Sequence, residues 1–346
     1  MKKLFVLLII TIINGIISLT VIADNSQWMR GLNDSLRFSD IVIPGSHDAG
    51  MSRTDHCTLF VKSEWDKTQQ LSIADQLKAG SRYFDIRLDY DHGSLVTYHR
   101  TDGVGCNGEK LDNILSGVAS FLRKNPKEVV ILKFSHTRND WMSFGGNDDI
   151  QRRAVNLLLQ KYSSILYKSN NKNVNLATVT LGALRGKIVA VFDGEYSEQI
   201  APAKGIFSYR DSYAQQDGQL KNITDGNLIV YDKYSDTTDY YDMKKDQLNK
   251  LLDFGTIRSR GPSPYAPASL RPYLFLLSWT LTGHVEKLDI RDLANEANSH
   301  LKSGLDAIFR KGYPKPNIIY IDFMSEALAS QIIQYNTLFK FRKHKK

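Results

Sequence analysis

Cysteine is scarce in this sequence. Its 346 residues hold two, Cys57 and Cys106, and neither has neighbours at metal-ligand spacing, which argues against a zinc site. No Gly-x-Ser-x-Gly turn occurs, so a Ser-His-Asp hydrolase built on a nucleophile elbow is disfavoured. No repeat, low-complexity tract or Pro/Gly/Ser-rich linker divides the chain, which leaves one large domain or two small ones. Beyond the N-terminus no run is long and apolar enough to cross a bilayer.

What is present starts with that N-terminus. Lys2 and Lys3 precede an almost unbroken apolar run, Leu4 to Ile13, and the stretch ends in Val21-Ile22-Ala23. Small or aliphatic residues before the cut suit signal peptidase, so residues 1–23 are expected to be a signal peptide and 24–346 the exported chain. The alternative is an uncleaved anchor. Export to an extracellular or periplasmic space makes the even cysteine pair a disulfide, Cys57 to Cys106. Without Lys2 and Lys3 the formal charge falls from +8 to +6, a mild basicity that favours an anionic surface. The segment 339–346 concentrates positive charge and reads either as a lipid contact or as a frayed tail. No nucleic acid partner and no cofactor are expected, and the chain is expected to act as a monomer.

Short aliphatic runs alternate with amphipathic stretches. The runs are 41–43, 83–86, 95–98, 129–132, 188–191, 228–231, 273–277 and 318–321; helical spacing appears near 70–79, 110–124, 148–163, 243–253 and 288–310. Eight buried runs with helices between them predict an α/β fold, a single-domain (β/α)8 TIM-type barrel. The link between the second and third runs, Asp89 to Gly93, is too short for a helix and reads as a hairpin turn, so the barrel is expected to be irregular.

In such barrels chemistry gathers where strands end. Polar residues follow nearly every run: His47 and Asp48; Asp85 and Arg87; His99; Lys133, Ser135 and His136; Asp193 and Glu195; Asp232 and Tyr234; Trp279; Asp322. His56, His92, His284 and His300 lack this placement and read as structural. His47 and His99 each follow a predicted strand among carboxylates and an arginine. Asp85 and Arg87 lie two apart, on one strand face. The set fits phosphoryl transfer without a metal. One histidine takes a proton from an attacking hydroxyl, a second protonates the leaving oxygen, and an arginine neutralises the phosphate. A metal enzyme of the same shape would place clustered carboxylates at the second strand, where Arg87 stands.

At these residues the chain resembles a known family. Ile41 to Gly50, IVIPGSHDAG, is similar to the opening motif of the X domain of phosphatidylinositol-specific phospholipases C. Phe84-Asp-Ile-Arg87 resembles the second-strand motif of the bacterial, metal-independent branch, and His99 falls where the second catalytic histidine is expected. The stretches 125–132, 184–189, 231–234 and 317–322 continue the similarity over essentially all of residues 24–346. The resemblance implies a phosphodiesterase that releases diacylglycerol and a cyclic inositol phosphate. His47 would be general base toward the inositol 2-hydroxyl, oriented by Asp322. His99 would be general acid, assisted by Asp48. Arg87, held by Asp85, would stabilise the phosphate; Asp232 and Tyr234 would contact inositol, with Lys133, Asp193 and Trp279 lining the head-group pocket. Two departures bear on that pocket. Asp193 stands where tight inositol binders carry arginine, and the fourth strand ends in Phe134-Ser-His136 with Lys133 one step out of phase. Another phospholipid or a soluble phosphodiester therefore stays open as substrate, as do a metal-dependent relative and a silent lipid- or glycan-binding member. Trp141, Met142 and Phe144, in a polar, Gly-rich loop, form an expected membrane contact, unless they fold back onto the barrel.

Overall fold

The computed structural model describes residues 24–338 apart from 60, 63–65, 102, 138–146, 194–198, 212–225, 260–273 and 283–288. Among the described residues ten strands occur in chain order: β1 (Ile43–Ser46), β2 (Tyr83–Asp91), β3 (Ser94–Thr101), β4 (Val104–Lys110), β5 (Val130–Ser135), β6 (Ile188–Asp193), β7 (Ile206–Asp211), β8 (Leu228–Asp232), β9 (Leu274–Ser278) and β10 (Ile318–Ile321). The helices are α1 (Ile73–Ala79), α2 (Leu111–Lys124), α3 (Asn147–Lys161), α4 (Leu181–Leu184), α5 (Tyr240–Ser259), α6 (Ile290–Ser299), α7 (Leu301–Arg310), α8 (Glu326–Ile333) and α9 (Tyr335–Leu338).

Eight strands pair in parallel, in the order β1-β10-β9-β8-β7-β6-β5-β2, and β1 closes back on β2. That closure makes the (β/α)8 barrel the runs predict. The identity of one stave differs. The run 95–98 is not in the barrel: it is the start of β3, which folds back antiparallel on β2 and carries β4 beside it. The two-residue loop His92-Gly93 puts both residues at positive φ, as a tight hairpin requires. The missing stave is β7. Its sequence, IFSYRD, mixes Ser208 and Arg210 among apolar residues, so it lacks the continuous apolar run that marks a buried parallel strand.

Period two sorts each stave. On β5, Ile131 joins the inner core with Tyr83, Val191 and Tyr320, whereas Val130, Leu132 and Phe134 pack outward. The outward face meets α2, whose Leu111, Ile114, Leu115, Val118, Phe121 and Leu122 are all buried at the expected helical spacing. Each such side chain contributes about 1.5–3 kcal/mol relative to exposure. A second outer core lies under α5 to α8 and centres on Trp279, Phe275 and Leu305.

The β1–α1 loop is stitched to the hairpin. Cys57 and Cys106 form the expected disulfide, at a separation of 49 residues, worth roughly 4 kcal/mol in the chain-entropy view. Asp55 bridges Asn107 on β4, and Thr58 N–H donates to the Gly105 carbonyl at 2.9 Å. Gly50 permits the close approach beside it: a Cβ there would meet the Thr97 side chain at 2.3 Å, and the Thr97 hydroxyl donates to the Gly50 carbonyl at 3.1 Å.

Candidate active site

Each inner row of the barrel turns polar at its C-terminal end. Beyond β1 the chain places His47, whose N–H donates to the Ile321 carbonyl at 3.0 Å, and then Asp48 at φ 37°, an αL position aspartate tolerates. Along β2 the inner residues run Tyr83, Asp85, Arg87. Asp322 follows β10. His99 arrives by a different route, on the β2–β3 excursion, where it pairs with Cys106 of β4.

His47 holds its Nδ1 against Asp322 Oδ1 at 2.8 Å. Its Nε2 faces an acceptor and a donor at once: Asp48 Oδ2 at 3.5 Å and Arg87 Nη2 at 3.1 Å. Burial disfavours the charged ring, but the carboxylates of Asp48 and then Asp322 outweigh it and raise His47 from 6.5 to about 9, with Arg87 pulling the other way. Arg87 forms ion pairs with Asp48 and, at 3.4 Å, with Asp85. Burial works against its charge, and these two carboxylates hold the charge in place.

Asp85 is the buried hub. It accepts from Tyr320 OH and Ser135 OH, each at 2.9 Å, and lies 3.5 Å from Lys133 Nζ. Burial opposes its ionisation, but Lys133 and then Arg87 keep its carboxyl well below the usual range. His136, at φ 47°, sits beside this hub; burial and the charges of Arg87 and Lys133 lower its pKa.

His99 has a partner the sequence did not reveal. Its Nδ1 lies 3.0 Å from Asp66 Oδ1, a residue of the β1–α1 loop. Asp48, expected to assist His99, lies instead on the Nε2 side of both rings, 3.5 Å from His47 and 3.8 Å from His99. No sequence signal marks Asp66, because its loop has neither strand nor helix period.

The head-group positions fall out unequally. Lys133 is in phase with Asp85, its direct neighbour on β2, and its ammonium sits 3.1 Å from Asp232 Oδ2. The expected phase offset is therefore corrected: the inner set of β5 is Ile131, Lys133, Ser135. Tyr209 OH donates to Asp232 at 2.6 Å, and Asp211 accepts from the Asp232 N–H; both come from the unread strand β7. Asp193 ends β6 and acts electrostatically on Lys133. Tyr234 stays exposed beyond β8. Trp279 is corrected outright. It follows the inner Ser278 and so turns outward, where it is buried against Gly304 and donates its indole N–H to the Ala297 carbonyl at 2.8 Å. Trp141, Met142, Phe144, Glu195, His284 and the segments 1–23 and 339–346 lie outside the described residues.

Two side-chain groups among the described residues bring three metal-capable ligands together. One is His47, Asp48 and Asp85, but the Arg87 guanidinium is paired with both carboxylates, so that donor set does not fit a divalent ion. The other, His56, Asp91 and His92, is at the hairpin turn, where both imidazoles bond Asp91.

The chain has relatives among known proteins. The family profile described as "Phosphatidylinositol-specific phospholipase C, X domain" matches residues 41–191. A "1-phosphatidylinositol phosphodiesterase" of Staphylococcus aureus is 25% identical over 339 residues, 95% of this chain and 98% of that protein. One of Listeria monocytogenes is 32% identical over 163 residues, 47% of each chain. The solved phosphatidylinositol-specific phospholipase C of Listeria monocytogenes superposes with a TM-score of 0.61 at 21% identity, covering 90% of this chain and 98% of that one, a likeness of fold. The X-domain match spans both histidines and Arg87, and the full-length relatives share the barrel. Residues 41–191 thus match the phosphatidylinositol-specific phospholipase C X domain, and along 95% of its length the chain is similar to a bacterial 1-phosphatidylinositol phosphodiesterase.

Proposed function

We propose that this chain cleaves phosphatidylinositol by two-histidine acid–base catalysis. The observation that carries the reading is the arrangement around Asp48: two imidazoles with Nδ1 fixed on separate carboxylates, Nε2 on the shared side, and Arg87 between. In the forward step the neutral form of His47, the minor form at neutral pH given its shift to about 9, takes through Nε2 the proton of the inositol 2-hydroxyl as its oxygen bonds to phosphorus. The phosphorus–oxygen bond to diacylglycerol breaks, and His99 gives its proton to the departing oxygen. Arg87 neutralises the equatorial oxygens, the role a bound cation fills elsewhere. The products are a cyclic inositol phosphate and diacylglycerol, and each histidine ends in the other's starting protonation state. Asp232, Lys133 and Asp193 supply hydrogen bonds for ring hydroxyls, and Tyr234 a stacking face.

The test uses phosphatidylinositol vesicles in excess EDTA, followed by phosphorus NMR, beside His47→Ala. Cyclic inositol phosphate from the intact protein alone supports the reading. A folded protein that makes none, on this lipid or on a panel of phosphodiesters, points to a silent binder. We also propose export with cleavage after Ala23, a location the Cys57–Cys106 disulfide favours; mass spectrometry of exported protein should find Asp24 at the N-terminus. Membrane docking through Trp141, Met142 and Phe144 predicts weaker vesicle binding in the triple serine variant, with cleavage of a soluble substrate spared.

A further inference from the structure

We propose that Asp66 is the positioning residue of His99, and that the segment 66–69 sets the geometry of both histidines. The proposal rests on the two-histidine reading and deepens it. The two rings are held alike. Each presents Nε2 toward Asp48, and each has a carboxylate behind Nδ1: Asp322 for His47 at 2.8 Å, Asp66 for His99 at 3.0 Å.

Asp66 is poorly suited to a purely structural role. Its residue is 7% exposed, its Oδ1 faces His99, and its buried Oδ2 accepts no hydrogen bond among the described residues. A carboxylate buried with so little solvation costs stability, and a neutral amide or an apolar side chain would be the stable choice for a rivet. A negative charge behind a general acid has a use instead: it fixes the tautomer with hydrogen on Nδ1 and stabilises the imidazolium that must donate from Nε2.

The residues that follow explain how Asp66 is kept in place. Thr68 OH donates to the Asp48 carbonyl at 2.9 Å, and the Thr68 carbonyl accepts from Phe323 N–H at 2.8 Å. Gln69, fully buried, donates to the carbonyls of His47 at 2.9 Å and Ile321 at 3.2 Å and accepts from Met324 N–H at 2.8 Å. One stretch of chain thus grips the backbone on both sides of His47 and Asp322 and, three residues earlier, reaches His99. A displacement of this stretch moves acid and base together.

The test compares Asp66→Asn with the intact chain on two substrates. Diacylglycerol of phosphatidylinositol is a poor leaving group that needs protonation; the nitrophenolate of a soluble inositol nitrophenyl phosphodiester does not. The ratio of turnover on the lipid to turnover on the aryl ester should fall roughly 10- to 100-fold in Asp66→Asn, part of the full contribution of a general acid, and Asp66→Glu should recover part of it. This ratio is independent of how much of a sample is folded. At a pH where the ring is neutral, nitrogen NMR should show His99 as a single Nδ1–H tautomer in the intact chain and a mixture in Asp66→Asn. Equal losses on both substrates with an unchanged tautomer would overturn the proposal. If the intact chain cleaves neither substrate, the phosphodiesterase reading fails, and the tautomer alone decides whether Asp66 positions His99.

Discussion

Asp322 lies behind His47, its Oδ1 2.8 Å from the ring Nδ1, while Asp48 stands on the opposite side of the same ring. A histidine between two carboxylates binds its proton tightly, and this one is raised to about 9. Removing the Asp322 charge should bring the His47 titration, followed by proton NMR of the ring, down from about 9 toward 6.5. The hydrogen bond that fixes the tautomer is lost as well, so Asp322→Asn should lower turnover at least about 100-fold. A His47 midpoint that stays near 9 in Asp322→Asn would show that Asp48 alone sets it.

The same shift makes stability depend on pH. In the unfolded chain His47 returns to about 6.5, so the folded state binds its proton more tightly. This contribution is fully present below pH 6.5 and is lost as pH rises through about 9. Its upper bound is about 3 kcal/mol, at 1.36 kcal/mol per pKa unit. Urea unfolding of the intact chain at pH 6 and pH 9.5 should show this loss, and His47→Gln should remove most of it. Equal pH dependence in the two proteins would assign the slope to other groups.

The barrel was legible where residues obey a single period, and the site where a residue directly follows such a stretch. His47, Asp85, Arg87, Asp232 and Asp322 all end or follow apolar runs, and the structure brings them to one mouth. Strand β7 was illegible because Ser208 and Arg210 interrupt it; Ser208 bonds Asn227 instead of packing. With β7 went Tyr209 and Asp211. Trp279 and Lys133 were misread through phase, since a one-residue error exchanges the inner and outer faces. Asp66 belongs to a loop whose position is set by long-range bonds, among them Thr68 and Gln69 to residues hundreds of positions away or on another strand end. No local pattern encodes such contacts.

Arg87 serves both chemistry and stability, and two substitutions separate the roles. It pairs with Asp48 and Asp85, each about 1–2% exposed. Arg87→Met takes the guanidinium from buried Asp48, while Lys133 still faces Asp85; the broken pair should cost about 3–5 kcal/mol, read from the urea midpoint. Arg87→Lys keeps a cation but loses the planar fork that reaches two carboxylates and a phosphate together. It should therefore retain more stability than Arg87→Met and still lose roughly 100- to 1,000-fold in turnover. Near-normal turnover in Arg87→Lys would mean that a point charge suffices at the phosphate.

The ion pair of Arg82 and Glu128 offers the converse case, stability without chemistry. Both side chains are fully buried, with Nη2 to Oε2 at 2.8 Å and Nε to Oε2 at 2.9 Å. Arg82 spends its remaining donors on the carbonyls of Leu77, Ser81, Asn25 and Ser26, and Glu128 accepts from the N–H groups of Met29 and Arg30. The pair thereby ties the N-terminal segment to α1 and to the start of β2, at the barrel end opposite the histidines. Glu128→Gln leaves the guanidinium buried without its counter-ion, and the cost should be about 3–5 kcal/mol. Turnover per folded molecule should not change, because no group of this pair reaches the mouth. Calorimetry and a single-turnover assay on the same sample check both halves; a loss of turnover beyond the loss of folded protein would mean that the closed end of the barrel controls the geometry of the open one.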